Sequence, residues 1–433
     1  MAKLNITWRI VIGMVLGIIV GYFLYHTYPQ QITVIDEATK KSSVMTQAQI
    51  YGNYFALLSK IFLRLIKMII GPLVFSMLVV GIAKLGDMQQ VGRIGIKTLG
   101  YFYMATILSL IVGLVVVNVM KPGEVMKLNL PEAGIDTGIE AKKLTLEGFL
   151  THIFPQSFAE ALATNEILQI VVFSIFFGIA VGSIGDKGKI VVKALDAVSH
   201  VMFKIVNYVM LFAPFGVFGA ITAVVAREGL GIFVGYAYLI LSFFIGLLFF
   251  VFVVLWVICL IAKVPFWPLM SHIREALLLS FSTASSEASM PQTIAALEKF
   301  GCPPRIISFV LPLGYSFNLD GSMLYMTFAT AFIAQAYHTP LTLVQQIVMM
   351  LTLLVTSKGI AGVPRASLVI IAGTMSLFNL PGEGLALLLG IDQILDMGRS
   401  ATSVAGNAVA TCVVSKWEGE ADFSQHKAAN SPA

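Results

Sequence analysis

The sequence predicts an all-α polytopic membrane protein, with eight transmembrane helices plus two re-entrant helical hairpins. Three observations carry this expectation. Of the 433 residues, 58% are hydrophobic and only 12% charged, and the mean hydropathy is +0.88; a soluble domain lies near half apolar and a quarter charged. Residues 10–25, 106–120, 167–184 and 236–262 contain no Asp, Glu, Lys or Arg, and a spanning helix needs roughly 20 apolar residues. Residues 265–300 and 341–380 each read as two apolar arms around a polar tip. At roughly 10–16 residues, those arms are too short to cross a hydrocarbon core of about 30 Å.

In chain order the spans are expected at 8–27, 50–83, 94–120, 165–184, 197–225, 231–262, 304–337 and 381–417. The first apolar run exceeds the ~7–15 residues of a signal-peptide core, and no small-residue cleavage site follows, so it reads as a retained helix. Basic residues set the orientation. Lys3 and Arg9 precede the first span, Lys84, Arg93 and Lys97 separate the second from the third, and Lys187, Lys189 and Lys193 separate the fourth from the fifth. Lysine and arginine mark cytoplasmic loops, which puts the N- and C-termini inside. The polar segment 121–155 then lies outside, and the polar tail after Trp417 is expected to be disordered. The net charge of +5 is scattered over short loops, which excludes a nucleic-acid footprint. Cys259, Cys302 and Cys412 are odd in number and dispersed, which argues against structural disulfides and a zinc site.

The two arm pairs carry polar tips, one with Ser282, Thr283, Ser285, Ser286, Glu287 and Ser289, the other with Ser357, Lys358, Gly359, Gly362, Pro364 and Arg365. A non-helical tip at membrane depth is tolerated only inside protein or beside a watery cavity, and paired interrupted segments point to a transporter's binding site. Two long kinked helices are the alternative.

The last span holds the densest chemistry. Asp396, Arg399, Ser400, Ser403 and Asn407 follow i, i+3, i+4, i+7, i+11 spacing and share one helical stripe. Ionisable residues within a membrane usually face a cavity and mark a solute path, although a lone Asp–Arg pair is often only structural. The pair suits an amino acid with an anionic side chain: Asp396 for the ammonium, Arg399 for a carboxylate. In the seventh span Asn318, Asp320, Gly321 and Ser322 follow Gly314 and Ser316. These residues weaken a helix, and an unwound segment with free carbonyls and a carboxylate suits a small cation; a satisfied polar kink is the alternative. Arg64 and Lys67 are expected to snorkel to an interface. There is no HExxH, GxSxG or nucleotide-binding P-loop, so the pattern is not that of an enzyme or an ATP-driven pump.

Over residues 8–418, and most closely at 282–291, 312–321, 357–364 and 390–407, the chain resembles the dicarboxylate/amino acid:cation symporter family, which includes bacterial glutamate transporters and mammalian excitatory amino acid transporters. The resemblance implies a homotrimer in the lipid of a bacterial plasma membrane, built from inverted repeats and working by an elevator motion. Residues 1–93 and the helices within 121–230 would form the scaffold; 94–120 and 231–417 would form the moving part, with 418–433 a cytoplasmic tail. It implies a secondary symporter that imports glutamate or aspartate, with C4-dicarboxylates as the alternative cargo and an anion channel as a remoter one. No cofactor is implied beyond a coupling ion, H+ or Na+.

By position, substrate contacts would come from Ser285, Ser286, Ser322, Val363, Pro364, Asp396, Arg399, Ser400 and Ser403. Cation coupling would involve Thr106, Gly314, Asn318, Asp320, Ser357 and Asn407, with Na+ held at Asn318 and Asp320. Three departures stand out. Ser403 replaces a usual asparagine, Arg365 a usual glycine, and Asn407 the cation-binding aspartate of sodium-coupled members. Glu287 resembles the proton-coupled group, so protons are favoured over sodium. Arg365, in the tip 361–367, would sit at the mouth of an extracellular gate.

Overall fold

The computed structural model describes residues 6–35, 42–85, 88–126, 154–230, 236–339, 341–357, 366–421 and 423, nearly all of them helical. Val363, Pro364 and Arg365, most of the 121–155 segment, the start of the expected sixth span and the end of the tail lie outside them.

Helix α1 spans Ile6–Thr27. An antiparallel ribbon of β1 (Gln31–Ile35) and β2 (Ser42–Thr46) follows. Hydropathy gives no sign of this ribbon, although the β-branched run Ile32, Thr33, Val34 and Ile35 favours a strand. Helix α2, Gln47–Leu85, continues through Pro72; α3, Met88–Met120, leads into the short α4, Pro122–Val125. Next come α5 (Phe158–Thr164), α6 (Ile167–Ser183), α7 (Gly188–Met210) and α8 (Ala213–Glu228). The fifth expected span is thus two helices bent by 52°. Pro214 in the first turn of α8 has no N–H to extend α7, and its ring disfavours helical backbone before it. Helix α9, Ala237–Ala262, is wound as a π-helix over Phe250–Leu255.

The 265–300 stretch is two helices, α10 (Phe266–Thr283) and α11 (Met290–Phe300), around a tip where Ala284 is left-handed at φ 49° and Glu287–Ser289 forms a 3-10 turn. The seventh expected span is broken into α12 (Pro304–Phe317) and α13 (Asp320–Ala336), with Asn318 and Leu319 non-helical between them. The unwinding expected over Asn318–Ser322 is therefore present but confined to Asn318 and Leu319; Asp320, Gly321 and Ser322 begin α13. Helices α14 (Leu343–Thr356) and α15 (Ala366–Leu377) flank the second tip. The last expected span needs correction: α16 is Asp392–Trp417, and 382–389 forms separate short turns, because Gly382, Gly384 and Gly390 weaken any continuous helix.

Four of the described helices are long and apolar enough to cross a membrane, or five if the bent pair is one span. Gly13, Gly17 and Gly21 let α1 lie against the α8 backbone; a Cβ on Gly13 would stand 2.6 Å from the Pro214 carbonyl oxygen, the small-residue packing common between membrane helices. Helix α2 packs on α6, α7 and α8, whereas α13 packs on α3 and α16, and α10 on α16. Contacts of α12 with α2 and of α10 with α8 join the two groups.

The tail also departs from expectation. The Glu418 side chain is 1% exposed and pairs with Arg93 at 2.8 Å and Lys97 at 2.7 Å. Arg305 Nε donates to Glu420 at 2.6 Å, and buried Phe423 stacks on Phe300 at 4.9 Å. Glu418, Glu420 and Phe423 thus strap α3 to the bases of α11 and α12. Burial would raise the Glu418 carboxyl, but hydrogen bonds and charge from Arg93 and Lys97 hold it below its ordinary range. A depressed carboxylate contributes stability above its unfolded pKa, and that contribution is lost as pH falls through the folded value. With Arg93 half exposed, the ion pairs add at most about 1 kcal/mol, whereas Phe423→Ala should cost about 3 kcal/mol. Thermal unfolding in detergent should therefore show Phe423→Ala and truncation after Trp417 melting well below the parent chain, and Glu418→Gln only slightly below and less acid-sensitive. A truncated chain that melts with the full one would show that the strap holds nothing.

Candidate functional site

Helix α16 carries the centre of the site because its i, i+3, i+4 neighbours are one stripe. The Arg399 side chain is 3% exposed. Its Nε donates to Asp396 Oδ1 at 3.2 Å, and Nη2 reaches Asp396 Oδ1 at 3.0 Å and Asp392 Oδ1 at 3.2 Å. The guanidinium lies 4.1 Å from the Tyr325 ring centroid, a cation–π arrangement. The Tyr325 hydroxyl donates to Asp392 Oδ1 at 3.1 Å. Arg399 Nη1 is buried and, among the described residues, has no hydrogen-bond partner. A buried donor left unmade costs roughly 1–3 kcal/mol, so this nitrogen is poised for an added acceptor. Both carboxylates hold the guanidinium and both line a cavity, but the Asp392 side chain is only 6% exposed while that of Asp396 is 37% exposed.

That cavity holds about 580 Å³. Ser285, Ser286 and Glu287 come to it from the tip between α10 and α11, Ser322 from α13, Ser357 from the end of α14, and Asp396, Arg399 and Ser400 from α16. The opposite wall is α2 and α8, with Lys60, Lys67 and Arg227. Four acids (Glu228, Glu287, Asp392, Asp396) and four bases (Lys60, Lys67, Arg227, Arg399) line it among the described residues. At that tip Ser285 Oγ accepts the Ala288 N–H at 3.3 Å, and the Ser286 backbone carbonyl accepts from Ser289 Oγ at 2.8 Å. Ser357 Oγ is buried and, among the described residues, has no hydrogen-bond partner.

Below Arg399, α16 meets the break between α12 and α13. Asn318 Nδ2 donates to Asp320 Oδ2 and to Asn407 Oδ1, both at 3.1 Å. All three residues are fully buried, as is Thr106 on α3. Asn318 Oδ1 has no donor among the described residues. Ser109 Oγ on α3 donates to the Asp320 carbonyl. The approach demands glycine: a Cβ on Gly406 would overlap Asp320 Oδ2, and one on Gly314 would overlap Asn407 Oδ1. Ser403 Oγ accepts the Gly321 N–H at 3.2 Å and donates to the Arg399 carbonyl at 3.0 Å. Neither Ser403 nor Asn407 lines the cavity: Ser403 fixes α13 on α16 and Asn407 holds the α12–α13 break, although their spacing puts them on the same stripe as Asp396.

Asp392 and Tyr325 were not among the expected residues. Asp392 had a signal: it extends the stripe at i−4 from Asp396 and i−7 from Arg399. Tyr325 had none, because it reaches Arg399 from another helix. Lys67 faces the cavity with Glu287, where snorkelling to an interface was expected.

Residues 6–417 match the family described as the sodium:dicarboxylate symporter family. The chain is 40% identical over 430 residues to a proton/sodium-glutamate symport protein of Bacillus caldotenax, covering 97% of this chain and 96% of that one. It is 38% identical to a protein of the same description from Bacillus subtilis, covering 96% and 94%. It is also 38% identical to a C4-dicarboxylate transport protein of Bacillus subtilis, covering 96% and 94%.

Proposed function

The chain belongs to the sodium:dicarboxylate symporter family, and we propose that it is a secondary active symporter importing glutamate or aspartate on a cation gradient, protons favoured over sodium. The observation that carries the substrate class is the Asp396–Arg399 pair at the cavity wall, with Arg399 Nη1 buried and unpartnered among the described residues. An amino acid with an acidic side chain brings a carboxylate for Nη1 and an ammonium for Asp396. A C4-dicarboxylate satisfies only the first, and would leave Asp396 ionised beside a dianion, at a cost of several kcal/mol. The serines at the first tip and Ser400 would supply neutral hydrogen bonds, as would Val363 and Pro364 from the second.

For the ion, a sodium site needs several oxygens and a negative charge. Asp320 supplies the charge and Asn318 Oδ1 an open oxygen; Asn407 adds an amide but no second charge. Glu287, on the cavity wall, is a carboxyl that can carry a proton in one state and lose it in the other. In the same reading the chain crosses a bacterial plasma membrane eight times with two re-entrant hairpins and cytoplasmic termini. Three copies assemble, and α3 with α9–α16 move against α1, α2 and α6–α8, the grouping that the helix packing favours.

Purified protein in liposomes at fixed membrane potential should accumulate glutamate or aspartate on an inward proton gradient without sodium, and Glu287→Gln should lose that drive. Accumulation only on a sodium gradient would overturn the ion; succinate accumulation exceeding aspartate would overturn the cargo.

A further inference from the structure

Formal charge is divided between the two walls of the cavity. On the side of α16 and the α10–α11 tip, Arg399 stands against three acids, Glu287, Asp392 and Asp396. On the side of α2 and α8, Lys60, Lys67 and Arg227 stand against one, Glu228. The basic wall follows from helical spacing. Ala56, Ser59, Lys60, Leu63 and Lys67 recur at i, i+3, i+4, i+7 and i+11 and are the stripe of α2 that lines the cavity. Helix α8 runs antiparallel beside it, with Gly52 against Ala226 and Phe62 against Gly216. Arg227 Nη2 thereby reaches the same stripe and donates to Asn53 Oδ1 at 3.3 Å. Positions 53, 60 and 67 are spaced by seven residues, about 10 Å along a helix, so the three cations form a ladder down one wall. All three are exposed. Among the described residues, neither lysine has an ion-pair partner. A charge within a membrane protein persists only beside counter-charge or water, so this wall faces watery space.

We propose that Arg227, Lys60 and Lys67 form an entry subsite for anionic cargo, on which a carboxylate docks and descends before it crosses to Arg399. This rests on the reading that the cargo is an anion, a property that glutamate, aspartate and the C4-dicarboxylates share. Arg399 cannot draw an anion in from a distance. Its charge is met by Asp392 at 3.2 Å and Asp396 at 3.0 Å, and Glu287 adds a further acid on that side. An approaching anion is therefore repelled by the wall that finally binds it, and the basic wall opposite offsets that repulsion. The rungs lie about one Debye length apart, roughly 8 Å at physiological ionic strength, so an anion leaving one rung is already in the field of the next. A lysine ammonium on its flexible stem holds a carboxylate without fixed geometry, which suits transient docking, whereas the planar fork of Arg399 suits the final site. In the proposed orientation α2 begins outside the cell, so Arg227 is the outermost rung and Lys67 the deepest.

The test is the initial rate of glutamate uptake into liposomes of neutral lipid, at fixed membrane potential and balanced osmolality. Ionic strength is stepped from about 10 mM to about 1 M, over which the Debye length shrinks from roughly 30 to 3 Å. The chains compared are the parent, Lys60→Gln/Lys67→Gln/Arg227→Gln, the charge-keeping Lys60→Arg/Lys67→Arg/Arg227→Lys, and Lys187→Gln/Lys189→Gln/Lys193→Gln, which removes equal charge away from this cavity. At low ionic strength the neutralised wall should raise KM about tenfold, with the maximal rate changing far less. The parent KM should climb with ionic strength until the two converge, because screening removes what the substitutions remove. The charge-keeping variant and the Lys187/Lys189/Lys193 variant should follow the parent. Where the triple variant fails to fold by size exclusion, Lys60→Gln and Lys67→Gln alone should each raise KM roughly twofold at low ionic strength. Parent and neutralised chains with the same KM at low ionic strength would overturn the inference. So would a KM difference that persists undiminished to high salt, or an equal shift from Lys187→Gln/Lys189→Gln/Lys193→Gln. The cargo reading fails by a different result, succinate accumulation exceeding aspartate, and the ladder is then read on succinate with the same expected slopes.

Discussion

Arg399→Ala is expected to cripple binding of acidic substrates, with affinity for glutamate and aspartate falling by roughly thirtyfold to several thousandfold. The guanidinium is held by Asp392 and Asp396 and backed by the Tyr325 ring, so in the proposed reading it would meet the substrate already oriented. Removing one partner of a buried charge pair costs about 2–5 kcal/mol, and each 1.4 kcal/mol is tenfold in affinity. The loss should be selective. A neutral amino acid needs Asp396 but not a cation for its side chain, so weak neutral uptake should survive or emerge. Arg399→Lys keeps the charge but not the planar fork, and should retain binding at an intermediate level. The substitution also leaves Asp392 and Asp396 without their cation, a change of about 3–5 kcal/mol in a buried pair, so melting temperature and size-exclusion profile must accompany the titration. Undiminished glutamate and aspartate affinity in a folded Arg399→Ala protein would remove Arg399 from the site.

The part of this site legible in the sequence is the part set by spacing along one helix. Asp396, Arg399 and Ser400 share a stripe because a helix repeats every 3.6 residues, and that stripe reaches the cavity. The break at Asn318 and Leu319 was legible as well, since Asn, Asp and Gly weaken a helix wherever they cluster. Spacing says nothing about which neighbour covers a face. Ser403 lies on the stripe, yet its hydroxyl is taken by the Gly321 N–H, and that follows only from how closely α13 approaches α16. The Asp392–Tyr325 bond joins positions 67 residues apart, a pairing no local pattern encodes. Lys67 reads as a snorkelling residue until α2 is placed against the α10–α11 tip. The tail fails for a related reason: Glu418 and Phe423 look like solvent-exposed chain because their partners Arg93, Lys97 and Phe300 lie far away in sequence. In each case composition and local propensity are correct, and the tertiary contact decides the outcome.

Asp396→Asn is expected to separate amino acids from dicarboxylates. In the parent chain Asp396 offers the cavity a carboxylate 37% exposed, while Asp392, at 6%, holds Arg399 from behind. Substitution of the first should therefore leave the guanidinium oriented by the second, and the fold should tolerate an isosteric amide. A charge-assisted hydrogen bond to the substrate ammonium contributes about 2 kcal/mol, so glutamate and aspartate affinity should fall roughly thirtyfold. A dicarboxylate has no ammonium to lose. For succinate or malate the variant removes only a repulsive charge, so their uptake should stay level or rise. Asp392→Asn is the contrasting variant. It should weaken every anionic substrate alike, because it loosens Arg399 without touching the ammonium subsite. The measurement is competition by aspartate, glutamate, succinate and malate against labelled aspartate, in the parent chain and both variants. Succinate or malate competing better than aspartate against the parent chain would show that Asp396 is no ammonium site, and so would an equal loss for amino acids and dicarboxylates in Asp396→Asn.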